Sequence, residues 1–167
     1  MNQEIESVEA EDQIVCVATL ARQIWNQHFV AIIGQAQMDY MLDRFQSPVA
    51  IRAQMDTGCE YYLTRRDDEP VGYIGLIPHR SGGKLMLSKL YVKSTERGAG
   101  VGSLLLEFTQ QRARETGANT VWLTVNRHNT ASVEWYKRRG FAVTGKLKKD
   151  IGCGFYMDDF VMERGLG

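Results

Sequence analysis

Apolar residues recur at helical spacing through the first third of the chain and then give way to strand-like runs. Ile14, Val17, Ala18, Ala21, Ile24, Trp25 and His28 share one face of a 3.6-residue period, which predicts a helix over about Glu11–Phe29. Met38, Met41, Leu42 and Phe45 repeat the spacing and predict a second helix over Gln37–Phe45. Ser47-Pro48 breaks the pattern, and Pro48 suits the first turn of a short third helix that runs to about Asp56 and stops before Gly58. Next come two β-rich runs, Tyr61–Arg66 and Val71–Pro78, with Asp67–Pro70 between them, the signature of a hairpin. Ser81–Gly83 turns the chain into a further strand, Lys84–Val92. Val101, Leu104, Leu105, Phe108 and Arg112 line one side of a helix that Gly117 ends. Thr120–Val125 is short and apolar, as a strand buried on both faces would be. Asn129 is a good N-cap for a helix over Thr130–Arg139, Gly140 terminates it, and Phe141–Lys149 and Phe155–Glu163 close the chain as strands.

Helices, a run of antiparallel strands, strand–helix–strand, helix and two strands predict an α/β fold. Its central sheet is mixed and largely antiparallel, with helices on both faces. A length of 167 residues suits a single domain spanning 1–167.

The stretch around which this order turns is Leu90–Phe108, a strand end, a glycine bend at Gly98, Gly100 and Gly102, and an amphipathic helix. Glycine lets backbone N–H groups approach a ligand closely, and a helix start adds N–H donors and partial positive charge. Together they form a seat for an anion such as phosphate. A P-loop pattern is absent, and the glycines are mis-spaced and too late in the chain for a dinucleotide fingerprint. The pattern present is R-x-x-G-x-G, from Arg97 through Gly100 to Gly102.

Composition narrows the rest. Twenty basic and twenty acidic residues cancel, so no basic excess points to a nucleic-acid or membrane-surface partner. No apolar run has the length of a membrane span, and the polar, acidic beginning MNQEIESVEAEDQ reads as neither a signal nor a transit peptide. Cys16, Cys59 and Cys153 are too widely spaced for a disulfide framework or metal knuckle and read as reduced thiols of a cytoplasmic protein. His28, His79 and His128 are scattered, with no metal-ligand spacing.

Leu90-Tyr91-Val92 before the bend, the apolar helix after it, and Asn126-x-x-Asn129-x-Ala131-x₄-Tyr136-x₃-Gly140-Phe141 downstream complete a longer pattern. With these motifs the chain resembles the GNAT superfamily of acetyl-CoA-dependent N-acetyltransferases over nearly its whole length. The segments WNQHFVAIIGQAQMDYML, YYLTRRDDEPVGYIGL and GFYMDDFVMER are similar to the spermidine/spermine N-acetyltransferase-like subgroup. The resemblance implies that main-chain groups of Gly98, Ala99, Gly100, Val101, Gly102 and Ser103 cradle the pyrophosphate of coenzyme A, with Arg97 alongside. It implies that Leu90 and Val92 pair with the pantetheine arm where the strands Lys84–Val92 and Thr120–Val125 splay. It also implies that Asn129 bonds the cofactor, that Tyr136 faces the thioester sulfur, and that the protein is a homodimer, as relatives often are.

Acetyl transfer to a primary amine of a small molecule, with a polyamine as the narrower reading, sets the remaining requirements; a peptide amine, or acyl-CoA sensing without catalysis, are the alternatives. An alkyl amine has a pKa of about 10.4, so at pH 7 only about one molecule in 10³ is neutral and a proton must be removed. Main-chain N–H groups near Leu90 or Tyr91 are placed to stabilise charge on the acetyl oxygen, and Tyr136 to protonate the departing thiolate. Many relatives carry a glutamate four residues before the equivalent of Leu90, where this chain has Met86. That leaves Asp39, Glu60, His79, Asp158, Asp159 or an ordered water as proton acceptors. Tyr40, Phe45, Tyr73 and Tyr156 are the candidate aromatic wall for the amine, and Asp39 and Asp158 its candidate charge partners.

Overall fold

A computed structural model describes residues 3–79, 83–96 and 98–167. The chain starts with a strand that its polar sequence hides. β1 (Gln3–Ser7) pairs antiparallel with β2 (Glu60–Arg66). Its one strong sequence cue is Ile5, and what holds it is long-range. Glu6 accepts from Arg65 at 2.7 Å and from the Gln13 amide at 2.8 Å.

The helical part follows the predicted periodicity with two adjustments. α1 spans Glu11–His28, and a short α2, Val30–Ile33, follows it. α3 begins earlier than the apolar repeat suggests, at Gln35–Gln46, because Gly34 starts it. α4, Pro48–Asp56, has Pro48 in its first turn, and the Ser47 hydroxyl accepts from Ala50 N. In the hairpin, β3 is Glu69–Pro78, so Pro70 lies inside a strand and the turn shrinks to Asp67-Asp68. Both aspartates have positive φ, 51° and 69°, the signature of a type I′ connection that matches strand twist. β4 is Gly83–Val92 and a 3₁₀ turn occupies Ser94–Glu96. Ser81 and Gly82 of the expected turn, and Arg97, lie outside the described residues.

α5 (Val101–Glu115), β5 (Ala118–Asn126), α6 (Thr130–Arg138), β6 (Ala142–Gly152) and β7 (Phe155–Gly165) complete the chain. The seven strands hydrogen-bond in the order β1-β2-β3-β4-β5-β7-β6. β4–β5 is parallel, and β1–β2, β2–β3, β5–β7 and β6–β7 are antiparallel. This is the mixed, largely antiparallel α/β sheet that the sequence predicts. One expectation fails locally. β5 is not buried on both faces, since Val121 and Leu123 are buried while Trp122 and Thr124 are only half-buried.

The chain divides into two compact units. The first comprises residues 1–77 and 89–109. On one face of its strands, Tyr61, Leu63 and Tyr73 join Ile14, Val17, Trp25, Met38 and Ile51 of the helices in one core. On the other face, Tyr62 meets Phe108 with ring centroids 4.7 Å apart, and Leu105 of α5 packs at Gly72. The second unit comprises residues 78–88 and 110–167. Its buried side chains include Leu85, Val121, Leu123, Val133, Tyr136, Phe141 and Met162. No helix among the described residues is long and apolar enough to cross a membrane.

Candidate active site

The end of β4 is held rigidly within the first unit. The Tyr91 ring lies 5.5 Å from those of Trp25 and Tyr73 and 5.9 Å from that of Phe29. Gly72 lets β3 come close, since a Cβ there would sit 3.0 Å from the Tyr91 carbonyl oxygen. Beyond Val92 the chain is tied down by ion pairs of Lys93 with Glu69 (3.0 Å) and of Arg66 with Glu96 (2.5 Å). It then reaches the exposed bend Gly98-Ala99-Gly100, where both glycines have positive φ, 84° and 85°. No atom lies within 4 Å of a Cβ placed at either glycine. Gly100 O accepts from Leu104 N at 3.0 Å, so the bend runs straight into α5. Val101, Leu105 and Leu106 bury that helix, while Ser103 is exposed. Helix geometry leaves the opening N–H groups without an intrahelical acceptor. An open bend with left-handed glycines at the start of a fifteen-residue helix is a fitting seat for a diphosphate.

In the second unit, the parallel ladder between β4 and β5 is registered from Gly83–Ala118 to Met86–Trp122. β5 continues to Asn126 along β7. The Asn126 side chain accepts from His128 N and its carbonyl accepts from Asn129 N, each at 2.9 Å. Asn129 is buried and caps α6 by accepting from Ser132 N at 3.4 Å. α6 carries Tyr136, which is 8% exposed and packs on Phe141 at 5.4 Å. Burial pushes its phenol well above the ordinary tyrosine range, so it stays protonated at any working pH.

The candidate acceptor residues fall in both units, and most already have an internal partner. Tyr73 is wholly buried in the core, with its hydroxyl donating to Gln46 Oε1 at 3.1 Å, so it forms no open wall. Arg44 lies over the rings of Tyr40 and Phe45, at 6.0 and 5.8 Å. Asp39 is exposed and accepts from Gln35. Tyr156 is half-exposed beneath Lys148, and Asp158 pairs with Arg127 at 3.9 Å. The places chosen to receive a substrate cation are therefore mostly occupied by the chain's own.

A model of the acetyltransferase (GNAT) family matches residues 19–141. The chain belongs to that family. Relatives of different chemistry resemble it. A peptidyl-lysine N-acetyltransferase, YjaB, of Salmonella typhimurium is 34% identical over 83 residues, half of each chain. A methionine sulfoximine/methionine sulfone acetyltransferase of Pseudomonas aeruginosa is 25% identical over 125 residues, 74% of this chain and 67% of that one. Among solved structures, the PaiA N-acetyltransferase of Thermoplasma acidophilum in complex with coenzyme A has the same fold, with a TM-score of 0.79 and 22% identity over 99% of each chain. The chain spans 63%, 33% and 50% of the lengths of three curated relatives it matches.

One feature of this GNAT chain escaped sequence reasoning. Lys89, one residue before Leu90, is 8% exposed. Its ammonium donates to the Tyr61 hydroxyl, to Gln54 Oε1 at 2.5 Å and to Phe45 O at 3.4 Å. All three acceptors are neutral. Desolvation lowers the Lys89 pKa to about 8. The signal was in the strand, where Leu85, Leu87, Lys89 and Tyr91 alternate onto one face and three of the four are apolar.

Proposed function

We propose that this chain is an acetyl-CoA-dependent N-acetyltransferase acting on a primary amine of a small molecule, by direct attack with both substrates bound. The observation that carries the reading is the open glycine bend at the head of α5, in a chain of this family. A polyamine is the narrower acceptor that the spermidine/spermine-like resemblance suggests, and the internal cations at Tyr40, Phe45, Tyr156 and Asp158 speak against a highly charged one there. The methionine sulfoximine relative supports a small acceptor. The YjaB relative supports the second reading, a peptide lysine. A cytoplasmic homodimer completes the proposal.

Bound acetyl-CoA supplies an activated acetyl thioester. In this reading main-chain N–H groups of the Gly98–Ser103 bend hold its diphosphate, other than that of Ala99, which donates to Glu96 O at 3.2 Å, and Arg97 adds charge. Leu90 and Val92 align the arm through their main chains, and Asn129 contributes a further polar contact. An N–H near Leu90 or Tyr91 stabilises the charge that builds on the carbonyl oxygen. Tyr136 delivers a proton to the departing sulfur, a step worth about 10²–10³-fold.

The test is thiol release at saturating acetyl-CoA with spermidine, spermine, an aminoglycoside, a methionine analogue and a lysine peptide. Turnover with a small amine is the expected result. Turnover with the peptide alone favours the second reading. Tight acetyl-CoA binding with no turnover of any amine means a sensor, and defeats both.

A further inference from the structure

We propose that Asp159 is the proton acceptor of the reaction, taking a proton from the substrate ammonium before its nitrogen attacks. This rests on the N-acetyltransferase reading and names a group that reading leaves open.

The structure separates the candidate acceptors. Asp39 is exposed and bonded to Gln35 at 2.8 Å. Glu60 accepts from the Tyr62 hydroxyl at 2.8 Å. His79 is exposed just beyond β3. Asp158 is held by Arg127. Asp159 alone among these is buried, at 5% exposure. It lies in β7 opposite Asn126 of β5 on one side and Leu147 of β6 on the other. The Thr124 hydroxyl donates to it. Of the described groups facing it, Thr124, Asn126 and Leu147 are neutral, and the charge acting on it among the described residues is its neighbour Asp158, an anion. Arg127 is engaged by Asp158 and the Phe160 ring. Among the described residues no lysine or arginine pairs with Asp159. Burial first, and Asp158 after it, raise its pKa to about 6 against the opposing Thr124 bond. A carboxylate poised near neutrality is suited to general-base work.

Its place in the second unit suits the task. β5 runs on past the Met86–Trp122 rung along β7 to Asn126, and Asp159 of β7 pairs with it there. The turn that follows Asn126 leads through Asn129 into α6 and Tyr136. The group that takes the first proton and the group that gives the last are thus anchored around one β5–α6 connection. The step balances. One ammonium proton passes to the Asp159 carboxylate and later to solvent. The C–N bond forms and the C–S bond breaks, and the second nitrogen proton replaces the one that Tyr136 gives to sulfur.

The experiment compares parent, Asp159→Asn and Thr124→Val by kcat/KM against pH. In parallel, ¹³C NMR of the aspartate side-chain carboxyls is recorded on protein without substrates. The parent should show one carboxyl titrating near pH 6 that vanishes in Asp159→Asn, and an acid limb in kcat/KM at the same pH. Asp159→Asn should lose that limb and about 100-fold in kcat/KM, with unchanged acetyl-CoA affinity. Thr124→Val should move both the carboxyl signal and the limb to higher pH, which keeps the proposal testable should Asp159→Asn not fold. An active parent whose limb survives in Asp159→Asn, or stays put while the Thr124→Val carboxyl moves, overturns the Asp159 assignment alone. A parent that turns over no amine overturns the reading beneath it as well.

Discussion

In the proposed reaction Tyr136 hands a proton to the departing thiolate, so its phenol must hold that proton at working pH, and burial keeps it protonated. Tyr136→Phe should therefore lower kcat by about 10²–10³-fold, with acetyl-CoA affinity unchanged. Equal kcat in variant and parent removes Tyr136 from the chemistry. Gly100 has φ +85° and open space around its missing side chain, so Gly100→Val strains the bend and fills the approach to its N–H groups. Its acetyl-CoA dissociation constant should rise at least about tenfold, a loss of roughly 1.4 kcal/mol, read by calorimetric titration. Lys89 makes a prediction about stability. Its folded pKa, about 8, lies below the unfolded value of 10.5, so above pH 8 the unfolded chain holds a proton that the folded one has shed. Stability then rises with pH, by about 1 kcal/mol between pH 8 and 9. Cys59, which burial raises from 9.0 to about 11, works in the opposite sense as the pH approaches 9 and offsets part of that rise. Urea melts should show the rise in the parent and not in Lys89→Met. That variant leaves Tyr61 donating to Gln54 and Gln54 to Phe45, with no orphaned partner. The glycine bend before α5 and the Asn129 cap of α6 were legible in the sequence because their signals are local. Lys89 and Asp159 were not legible as buried charges, because burial is set by strands and helices distant in sequence.

At the scale of elements, the long periodic helices and the apolar strands emerge within a few residues of where the pattern puts them. What the pattern misses has a particular cause in each case. β1 has the composition of a loop and exists because β2 supplies its partner, Arg65 and Gln13 its ties. α2 is four residues long, too short for a period to show. The β2–β3 turn is tighter than expected because two aspartates accept positive φ, leaving Pro70 free to enter the strand. The β3–β4 approach hangs on Gly72. Gly72→Ala places a methyl 3.0 Å from a main-chain oxygen and 3.3 Å from Leu105 Cδ1 and Thr64 Cγ2. It should cost about 1–3 kcal/mol by denaturant unfolding. A variant as stable as its parent would show that β3 and the end of β4 are not packed as described.

For the whole molecule, the α/β architecture and family follow from a motif spread over the chain, while the acceptor does not. The proposed diphosphate seat would be built from main-chain groups and need few particular side chains, so glycines are the part of it that a sequence can carry. An acceptor pocket is assembled from side chains of separate elements, and those proposed here fall in two compact units with internal partners of their own. The most direct measurement is a crystal structure of the protein with acetyl-CoA. It should place the diphosphate on the main-chain N–H groups of the Gly98–Ser103 bend. Acetyl-CoA bound elsewhere, or a diphosphate that leaves that bend empty, would contradict the account.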